Sequence, residues 1–395
     1  MSEKNKDRSR PPTLAKSIVA SIRRVLGEGN YALHKPRFEG NERKYVVDCI
    51  NSSYVSSVGD YVDRFERSLE SFTGAKHAVA VVNGTAALQV ALKLSGVDIG
   101  DEVIIPSLTF VATANAVSYL GATPHFADSS PSSLCIDSLA LRDWLKYIGE
   151  KTASGLRNRK TGRKIGTLVP MHTFGHPCDI EELLKIARDY NLTIVEDASE
   201  SLGSYYHGVH TGNFGKIGAL SFNGNKIITT GGGGAIITND KASAVYAKHL
   251  TTTAKVSHRW HFEHDEIGFN FRMPNLNAAL GTAQLESLPA FISSKKRLAA
   301  LYSAAFADVQ HVRFVKDLPG TESNYWLQTL ILDELVEDKR DEILLLANDS
   351  GFMSRPAWTP MHMLSIYKHC PRGPMEGAES LFRRIINIPS SAGLV

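Results

Sequence analysis

Short apolar runs alternate with amphipathic runs between residues 77 and 198, and this alternation constrains the fold more than any other feature. The apolar runs lack alternating polar residues, which is typical of strands in a parallel sheet that helices cover on both faces. The predicted strands are 77–82, 102–106, 123–128, 166–172 and 192–198, and the predicted helices begin at 83 or cover 109–120, 137–147 and 179–190. The pattern predicts an α/β fold with ligands at the carboxyl ends of the strands.

The segments on either side of this alternation extend the prediction to the whole chain. Helices are expected at 13–26, 41–51, 59–73, 238–250 and 275–288. From about Pro289 the pattern predicts a smaller α+β unit, with helices at 292–307 and 337–350 and a strand at 326–332. We therefore expect an N-terminal extension with a helix (1–32), a large domain with a mostly parallel sheet (33–288) and a small α+β domain (289–395).

Two polar segments are expected to lack regular structure. Residues 1–12 are charged and contain proline, which predicts disorder. The run 151–164 is basic with few apolar residues, and it predicts an exposed loop. A phosphate-binding role for this run is the less favoured alternative.

Composition excludes several classes of partner. The formal net charge is +3 over 395 residues, so nothing indicates nucleic acid or a membrane surface. No apolar stretch is long enough to span a bilayer, and the N-terminus lacks the apolar region of a signal peptide. The cysteines show no CxxC spacing, which indicates free thiols in a reducing compartment. We therefore expect a cytoplasmic protein. The four cysteines are Cys49, Cys135, Cys178 and Cys370.

One lysine stands in a setting that suits covalent chemistry. An apolar run ends at Ser221, a glycine-bearing loop presents Lys226, and the glycines 231–234 lead into a second apolar run. A nucleophilic lysine must be neutral, so it needs a pocket in which its pKa can fall. Taken alone, this stretch slightly favours the alternative of a solvated loop lysine.

Two further motifs follow predicted strands. Gly84 and Thr85 open a helix, where free N–H groups and the helix dipole suit a phosphate, although an ordinary capped helix is the alternative. The stretch is neither GxGxxG nor a Walker loop, which disfavours a dinucleotide or a nucleoside triphosphate. Glu196 and Asp197 end another strand, and a buried acid there needs a cation such as a protonated pyridine nitrogen. A metal is less favoured because no His/Asp pair lies nearby at ligand spacing.

Other candidate residues lie in loops. Phe110 follows a strand and could stack on a planar ring, although packing in the core is the commoner fate. Asn270 precedes the alanine-rich helix at 275 and could contact an anion. The run 258–266 holds three histidines and Trp260; a substrate-facing loop is favoured over a metal site because HExxH spacing is missing. Tyr54 lies in a polar loop that could form the rim of a pocket.

Together these motifs resemble the DegT/DnrJ/EryC1/StrS family of sugar aminotransferases, over residues 33–391. The resemblance implies fold type I and the cofactor pyridoxal 5′-phosphate. Within the family the chain looks most like the legionaminic-acid or bacillosamine branch, on the stretches 55–59, 196–201, 264–270 and 355–362. The chain stops soon after Ser391, earlier than we expect of a relative, which leaves a short C-terminal truncation open.

The resemblance also implies a role for each candidate residue. Lys226 would be catalytic and would bind the cofactor covalently; lysine rather than histidine there implies transamination and not dehydration. Asp197 would pair with the pyridine nitrogen, Glu200 would lie near the phenolic oxygen, and Phe110 would stack on the ring. Phosphate contacts would come from Gly84, Thr85, Ser221 and, from the neighbouring subunit, Asn270, so that a homodimer shares its active sites. Expected substrate contacts are Tyr54, His172, Trp260 and Arg355, and no metal is expected.

The activity implied is transfer of an amino group from L-glutamate to the 4-keto carbon of a nucleotide-linked 6-deoxy sugar. UDP-2-acetamido-2,6-dideoxy-hexos-4-ulose is the expected acceptor, and synthesis of GDP-perosamine type is an alternative. An NAD-dependent nucleotide-sugar oxidoreductase would need a GxGxxG motif near residues 77–100, where none is present. A non-catalytic, cofactor-binding relative stays open, although an intact lysine–aspartate pair disfavours it.

Overall fold

The computed structural model describes residues 12–153 and 155–395. The prediction of disorder for residues 1–12 therefore lies, apart from Pro12, outside the described residues. The first helix, α1, spans Leu14–Leu26. Thr13 caps its N-terminus by accepting a hydrogen bond from the N–H of Lys16, and Gly27 ends it with a φ of 78°.

The large sheet has the strand order β1-β11-β10-β7-β6-β2-β3. All neighbouring pairs along this path are parallel except the two made by β11, which runs antiparallel to β1 and β10. The prediction of a mostly parallel sheet is therefore confirmed. The strands of this sheet are β1 (His77–Val81), β2 (Glu102–Pro106), β3 (Thr123–Ala127), β4 (Gly149–Thr152), β5 (Gly155–Asn158), β6 (Lys164–Leu168), β7 (Thr193–Asp197), β10 (Ile217–Ser221) and β11 (Gly234–Thr238). Two short strands, β8 (Tyr205–Tyr206) and β9 (Val209–His210), pair with each other outside it.

Helices pack on this sheet and bury its apolar side chains in three large clusters. Their bounds lie within about three residues of those expected from the sequence. The helices are α2 (Glu42–Ser52), α3 (Asp60–Thr73), α4 (Gly84–Leu94), α5 (Val111–Ser118), α6 (Ser138–Ile148), α7 (Ile180–Tyr190) and α8 (Lys241–Thr251). The topology brings the ends of β2, β7 and β10 and the start of α4 to one edge of the sheet.

The basic run 151–164 is not the exposed loop that we expected. Six of its fourteen residues belong to β4 and β5, an antiparallel hairpin that joins the large sheet through β6. The hairpin is attached by Glu102, a fully buried carboxylate in β2 that accepts hydrogen bonds from Asn158 (2.8 Å), Thr161 and His125 (2.8 Å). Because these contacts join residues far apart in the chain, local composition could not predict the hairpin.

One long helix, α9 (Asn275–Ala305), replaces the two helices expected at 275–288 and 292–307. Pro289 lies inside it and lacks the N–H that would bond to the preceding turn. The helix nevertheless continues because buried apolar residues on both sides of Pro289, including Leu288 and Phe291, pack as one face. The expected boundary between residues 288 and 289 therefore falls within a helix, and the division into domains stays a prediction.

After α9 the chain forms an antiparallel sheet with the order β12-β14-β16-β15. This sheet shares an apolar cluster with α1, α9 and α10, so the N-terminal helix packs against the C-terminal region. Every helix among the described residues is too short or too polar to span a bilayer. The elements are β12 (Val312–Phe314), β13 (Thr321–Glu322, paired with β8), β14 (Gln328–Leu332), α10 (Arg340–Asp349), β15 (Arg355–Pro356), α11 (Glu376–Arg384) and β16 (Ile385–Ile388).

Candidate active site

A cavity of about 430 Å³ lies at the carboxyl edge of the large sheet. It is lined by residues from β7, β10, the start of α4 and the segment after β14. Ligands of such sheets bind at the carboxyl ends of the strands. Side chains from both sheet-forming regions of the chain therefore meet in one site. The sequence-predicted residues that line it are Gly84, Thr85, Phe110, Asp197, Glu200, Ser221, Lys226 and Arg355.

Lys226 is held on two sides. Its Nζ lies 3.2 Å from Oε1 of Glu200 and 4.0 Å from the centre of the Trp326 ring. Trp326 is in turn fixed by its indole N–H, which donates to the carbonyl of Asn225 at 2.7 Å. Only 12% of the Lys226 side chain is exposed, so this lysine is enclosed rather than solvated.

Glu200 is a buried acid next to that amine. Burial raises the pKa of its carboxyl to about 7, although the charge of Lys226 and the N–H of Phe174, which donates at 2.9 Å, partly offset the rise. Near neutral pH the carboxyl is therefore poised between its two protonation states. It can accept a hydrogen bond from one neighbour or donate a proton to another.

The raised pKa predicts a change of stability with pH. An unfolded Glu200 titrates near 4.5 and the folded one near 7, so the folded protein binds the extra proton in this window and its stability falls as pH rises through it. Glu200→Gln lacks this titration. The difference in unfolding free energy between wild type and the variant is therefore expected to fall by up to about 3 kcal/mol as the pH rises from 4.5 to about 7. Urea titrations of cofactor-free protein at pH 5 and pH 8 measure the difference.

The matched control for this experiment is Glu263→Gln, because Glu263 is exposed. Its unfolding free energy should follow that of wild type at both pH values. A stability difference between wild type and Glu200→Gln that stays constant from pH 5 to pH 8 would contradict the raised pKa.

Asp197 ends β7 and is buried. Its Oδ2 accepts the hydroxyl proton of Thr113 at 2.7 Å, and its Oδ1 accepts the N–H of Ser199 at 3.2 Å. Among the residues that the structure describes, no basic side chain forms an ion pair with it. A buried carboxylate with only neutral donors is costly unless a cation completes the site. The arrangement fits a protonated ring nitrogen in the cavity.

The start of α4 fits a phosphate. The side chain of Asn83 caps the helix by accepting the N–H of Ala86 at 2.8 Å, whereas the N–H groups of Gly84 and Thr85 belong to the first turn and lack partners within the helix. A Cβ on Gly84 would lie 2.8 Å from Cβ of Ser221, so only glycine permits this approach. Together these groups form an anion cradle at one end of the cavity.

Aromatic side chains form the wall of the cavity. Phe110 is 51% exposed and lies 6.4 Å from the Trp358 ring, which also packs at 4.9 Å against Phe174. Trp326 and Trp358 were not among our candidates. Trp358 lies in the stretch 355–362 that carried part of the resemblance, whereas no local signal singled out Trp326 or Thr113.

His172 does not line the cavity, contrary to its expected contact with substrate. It is fully buried, its Nε2 donates to Oε2 of Glu196 at 3.0 Å, and its Nδ1 accepts the N–H of Cys178 at 3.1 Å. Both ring nitrogens are therefore occupied within the chain. Because neighbouring residues of an extended segment point in opposite directions, Met171 reaches the cavity and His172 points away from it.

The remaining candidates lie on the surface, away from the cavity lining. Tyr54 and Trp260 are 59% and 65% exposed, and Asn270 is exposed with its Oδ1 accepting hydrogen bonds from Arg272 at 3.0 and 3.2 Å. Such positions are compatible with contacts to a second subunit, and none of the three residues lies in the lining of this chain's cavity. Their expected roles stay predictions.

The run 258–266 contributes two acids, but none of its three histidines, to a cluster of side chains whose atoms could coordinate a metal ion. His249, Asp265 and Glu266 bring these atoms within 4.8 Å of one another on the surface. The histidine and Asp265 already form a direct hydrogen bond of 2.7 Å, which is an ordinary surface contact. This group lies outside the cavity lining.

Comparison with known proteins decides the family. Residues 36–395 match the model of the DegT/DnrJ/EryC1/StrS aminotransferase family. The chain belongs to this family. It is 36% identical to GDP-perosamine synthase of Caulobacter vibrioides, over 91% of this chain and 92% of that protein. It is 34% identical to the putative pyridoxal phosphate-dependent aminotransferase EpsN of Bacillus subtilis, over 92% and 91%.

A solved structure gives the same result for the fold. The crystal structure of a DegT DnrJ EryC1 StrS aminotransferase from Brucella abortus superposes with a TM-score of 0.80 at 27% identity, over 89% of this chain and 90% of that one. Fold type I, the family and the cofactor pyridoxal phosphate, all expected from the sequence, are thereby confirmed. The legionaminic-acid or bacillosamine branch is not confirmed. The protein is a sugar aminotransferase, and its cavity holds residues that fit the cofactor.

Proposed function

We propose that this cavity transfers an amino group from L-glutamate to the 4-keto carbon of a nucleotide-linked 6-deoxy sugar. The observation that carries the proposal is the enclosed lysine, Lys226, which shares one cavity with the buried acid Asp197 and with the helix start at Gly84. These three groups match the amine, ring-nitrogen and phosphate requirements of pyridoxal phosphate.

In this proposal the cavity residues hold the cofactor at three points. Asp197 would pair with the ring nitrogen and keep it protonated, while Thr113 and the Ser199 N–H fix the carboxylate. Gly84, Thr85 and Ser221 would hold its phosphate, and Phe110 would pack against its ring. When bound, the cofactor supplies an electron-accepting ring that stabilises negative charge on the substrate carbon.

Lys226 moves the proton. Its Nζ would remove a proton from the substrate carbon as general base and deliver it, as general acid, to the other of the two carbons that flank the transferred nitrogen. Glu200, at 3.2 Å, accepts a hydrogen bond from this amine and, because its pKa lies near 7, can exchange a proton with it. The Trp326 ring covers the other side of the amine and excludes water from it.

Two nucleotide sugars are candidates for the acceptor. The relative at 36% identity is a GDP-perosamine synthase, which favours a GDP-linked 4-keto-6-deoxy sugar. The stretches 55–59 and 355–362 favour UDP-2-acetamido-2,6-dideoxy-hexos-4-ulose by resemblance. Either acceptor carries a diphosphate, and the guanidinium of Arg355 at the cavity is suited to an anion.

A panel of acceptors tests the proposal. Purified holoenzyme is incubated with L-glutamate and each of the GDP-linked and UDP-linked 4-keto-6-deoxy sugars, and the products are identified by mass spectrometry and NMR. A 4-amino sugar from one of them is the expected product. Retention of the 4-keto group with every acceptor, or its reduction on addition of NADH, would overturn the proposal.

We further propose a homodimer whose two sites are shared. The support is that Asn270, Trp260 and Tyr54 are exposed and lie outside the cavity of their own chain, where they could contact a second copy. Mixing inactive Lys226→Ala chains with Asn270→Ala chains should then restore part of the activity, because one of the two sites in a mixed dimer is intact. Monomers in sedimentation, or no gain on mixing, would contradict sharing.

A further inference from the structure

Three side chains from separate elements form a continuous hydrogen-bonded chain beside the cavity. Oγ of Ser107, which follows β2, lies 2.6 Å from Nδ1 of His362, and Nε2 of the same ring lies 3.1 Å from Oε1 of Glu379 in α11. Ser107 is fully buried and His362 is almost so. The backbone repeats the link, because the N–H of Met361 donates to the carbonyl of Ser107 at 2.8 Å.

The chemistry of the three groups fixes the direction of each hydrogen bond in a neutral ring. An ionised Glu379 only accepts, so Nε2 of His362 carries the proton and Nδ1 accepts the hydroxyl proton of Ser107. This serine–histidine–acid order also occurs in nucleophilic enzymes. Ser107 has no exposed surface, however, so it cannot reach a substrate, and the chain of bonds holds parts of the protein together instead.

The part that it holds is the roof of the cavity, which we define as residues 355–363. At its start, β15 pairs with β16. At its end, His362 and Met361 attach it to the large sheet through Ser107. Arg355 and Trp358, which lie between these two attachments, both line the cavity, and Trp358 packs on Phe110 and Phe174.

We propose that His362 is a positioning residue, which sets the place of Arg355 and Trp358 over the cavity by linking Ser107 to Glu379. The proposal rests on the function proposed above for this cavity. Lys226 makes no contact with the link, so loosening the roof weakens the binding of substrates and leaves the chemistry at Nζ unchanged. Substrate affinity and kcat should therefore respond differently to a change at His362.

Ser107→Ala and His362→Ala test the link. Ser107→Ala removes one hydroxyl from a buried site and is the milder change, so it serves if His362→Ala folds poorly. In holoenzyme, each variant is expected to raise KM for L-glutamate about tenfold with kcat within about threefold of wild type. The double variant should be no worse than His362→Ala alone, because both changes break the same link. His369→Ala, at an exposed histidine a few residues beyond the roof, is the matched control.

Hydrogen exchange provides a readout that needs no activity. His362→Ala should speed amide exchange at Met361 and also at Arg355, Ala357 and Trp358. The proposal is overturned if exchange is faster at Met361 but not at Trp358, or if KM is unchanged. It is also overturned if kcat and cofactor absorbance fall equally, because that would indicate general damage. If wild type itself fails to react with L-glutamate, the proposed function fails, and the exchange data alone then decide on the link.

Discussion

Lys226→Ala is expected to lower the transamination rate by at least about 10³-fold, because proton transfer by a positioned base contributes that much and the variant has none. Among the described residues, the cavity lining holds no second lysine that could replace it. The rate with L-glutamate and an accepted nucleotide sugar is the measurement. Borohydride reduction followed by peptide mapping should place the cofactor on Lys226 in wild type and nowhere in the variant.

Lys241→Ala is the control for this experiment. Lys241 is exposed at the start of α8, so its loss should leave both the rate and the label unchanged. A Lys226→Ala protein that turns over at a rate near wild type, or a label on any other lysine, would remove the basis of the proposed function.

Asp197→Asn is expected to lower kcat by about 10²- to 10³-fold, the usual loss when a group that stabilises developing charge is removed. The neutral amide keeps the size of the side chain and can still contact Thr113, but it cannot hold a proton on the ring nitrogen. The ring would then accept electrons poorly. Steady-state kinetics measure kcat, and titration with pyridoxal phosphate measures whether the cofactor still binds.

For this variant, Asp143→Asn is the control, since Asp143 lies on the surface of α6 in an exposed ion pair with Lys146. It should behave as wild type, because such pairs contribute little. An Asp197→Asn enzyme with normal kcat would mean that this acid does not serve the ring nitrogen. Weaker cofactor binding, together with a bound fraction that does not turn over, would agree with the assignment.

That Lys226, Asp197 and Gly84 share one cavity could be predicted from the sequence, because their positions follow local rules. Lys226, Asp197 and Gly84 each lie just after a buried strand, and parallel strands deliver their carboxyl ends to one edge of a sheet. Residues that are far apart in the sequence therefore lie close together in the structure. His172 shows where the rule fails, because it gives the edge of the sheet but not the direction of each side chain.

The rest depended on contacts between distant parts of the chain. Trp326 and Trp358 reach the cavity from beyond α9, and nothing in their local sequence indicates which way they face. Likewise, the hairpin at 149–158 is held by Glu102, about fifty residues earlier. Patterns within ten or twenty residues carry no information on such pairings.

The continuous helix α9 has a mechanical consequence. At 1.5 Å per residue its 31 residues form a helix about 46 Å long that continues past residue 288 without interruption. Neither half of the chain could then be produced as a separate stable fragment, since a cut at this point would expose the apolar face of both pieces. The two regions are therefore expected to unfold together in one thermal transition.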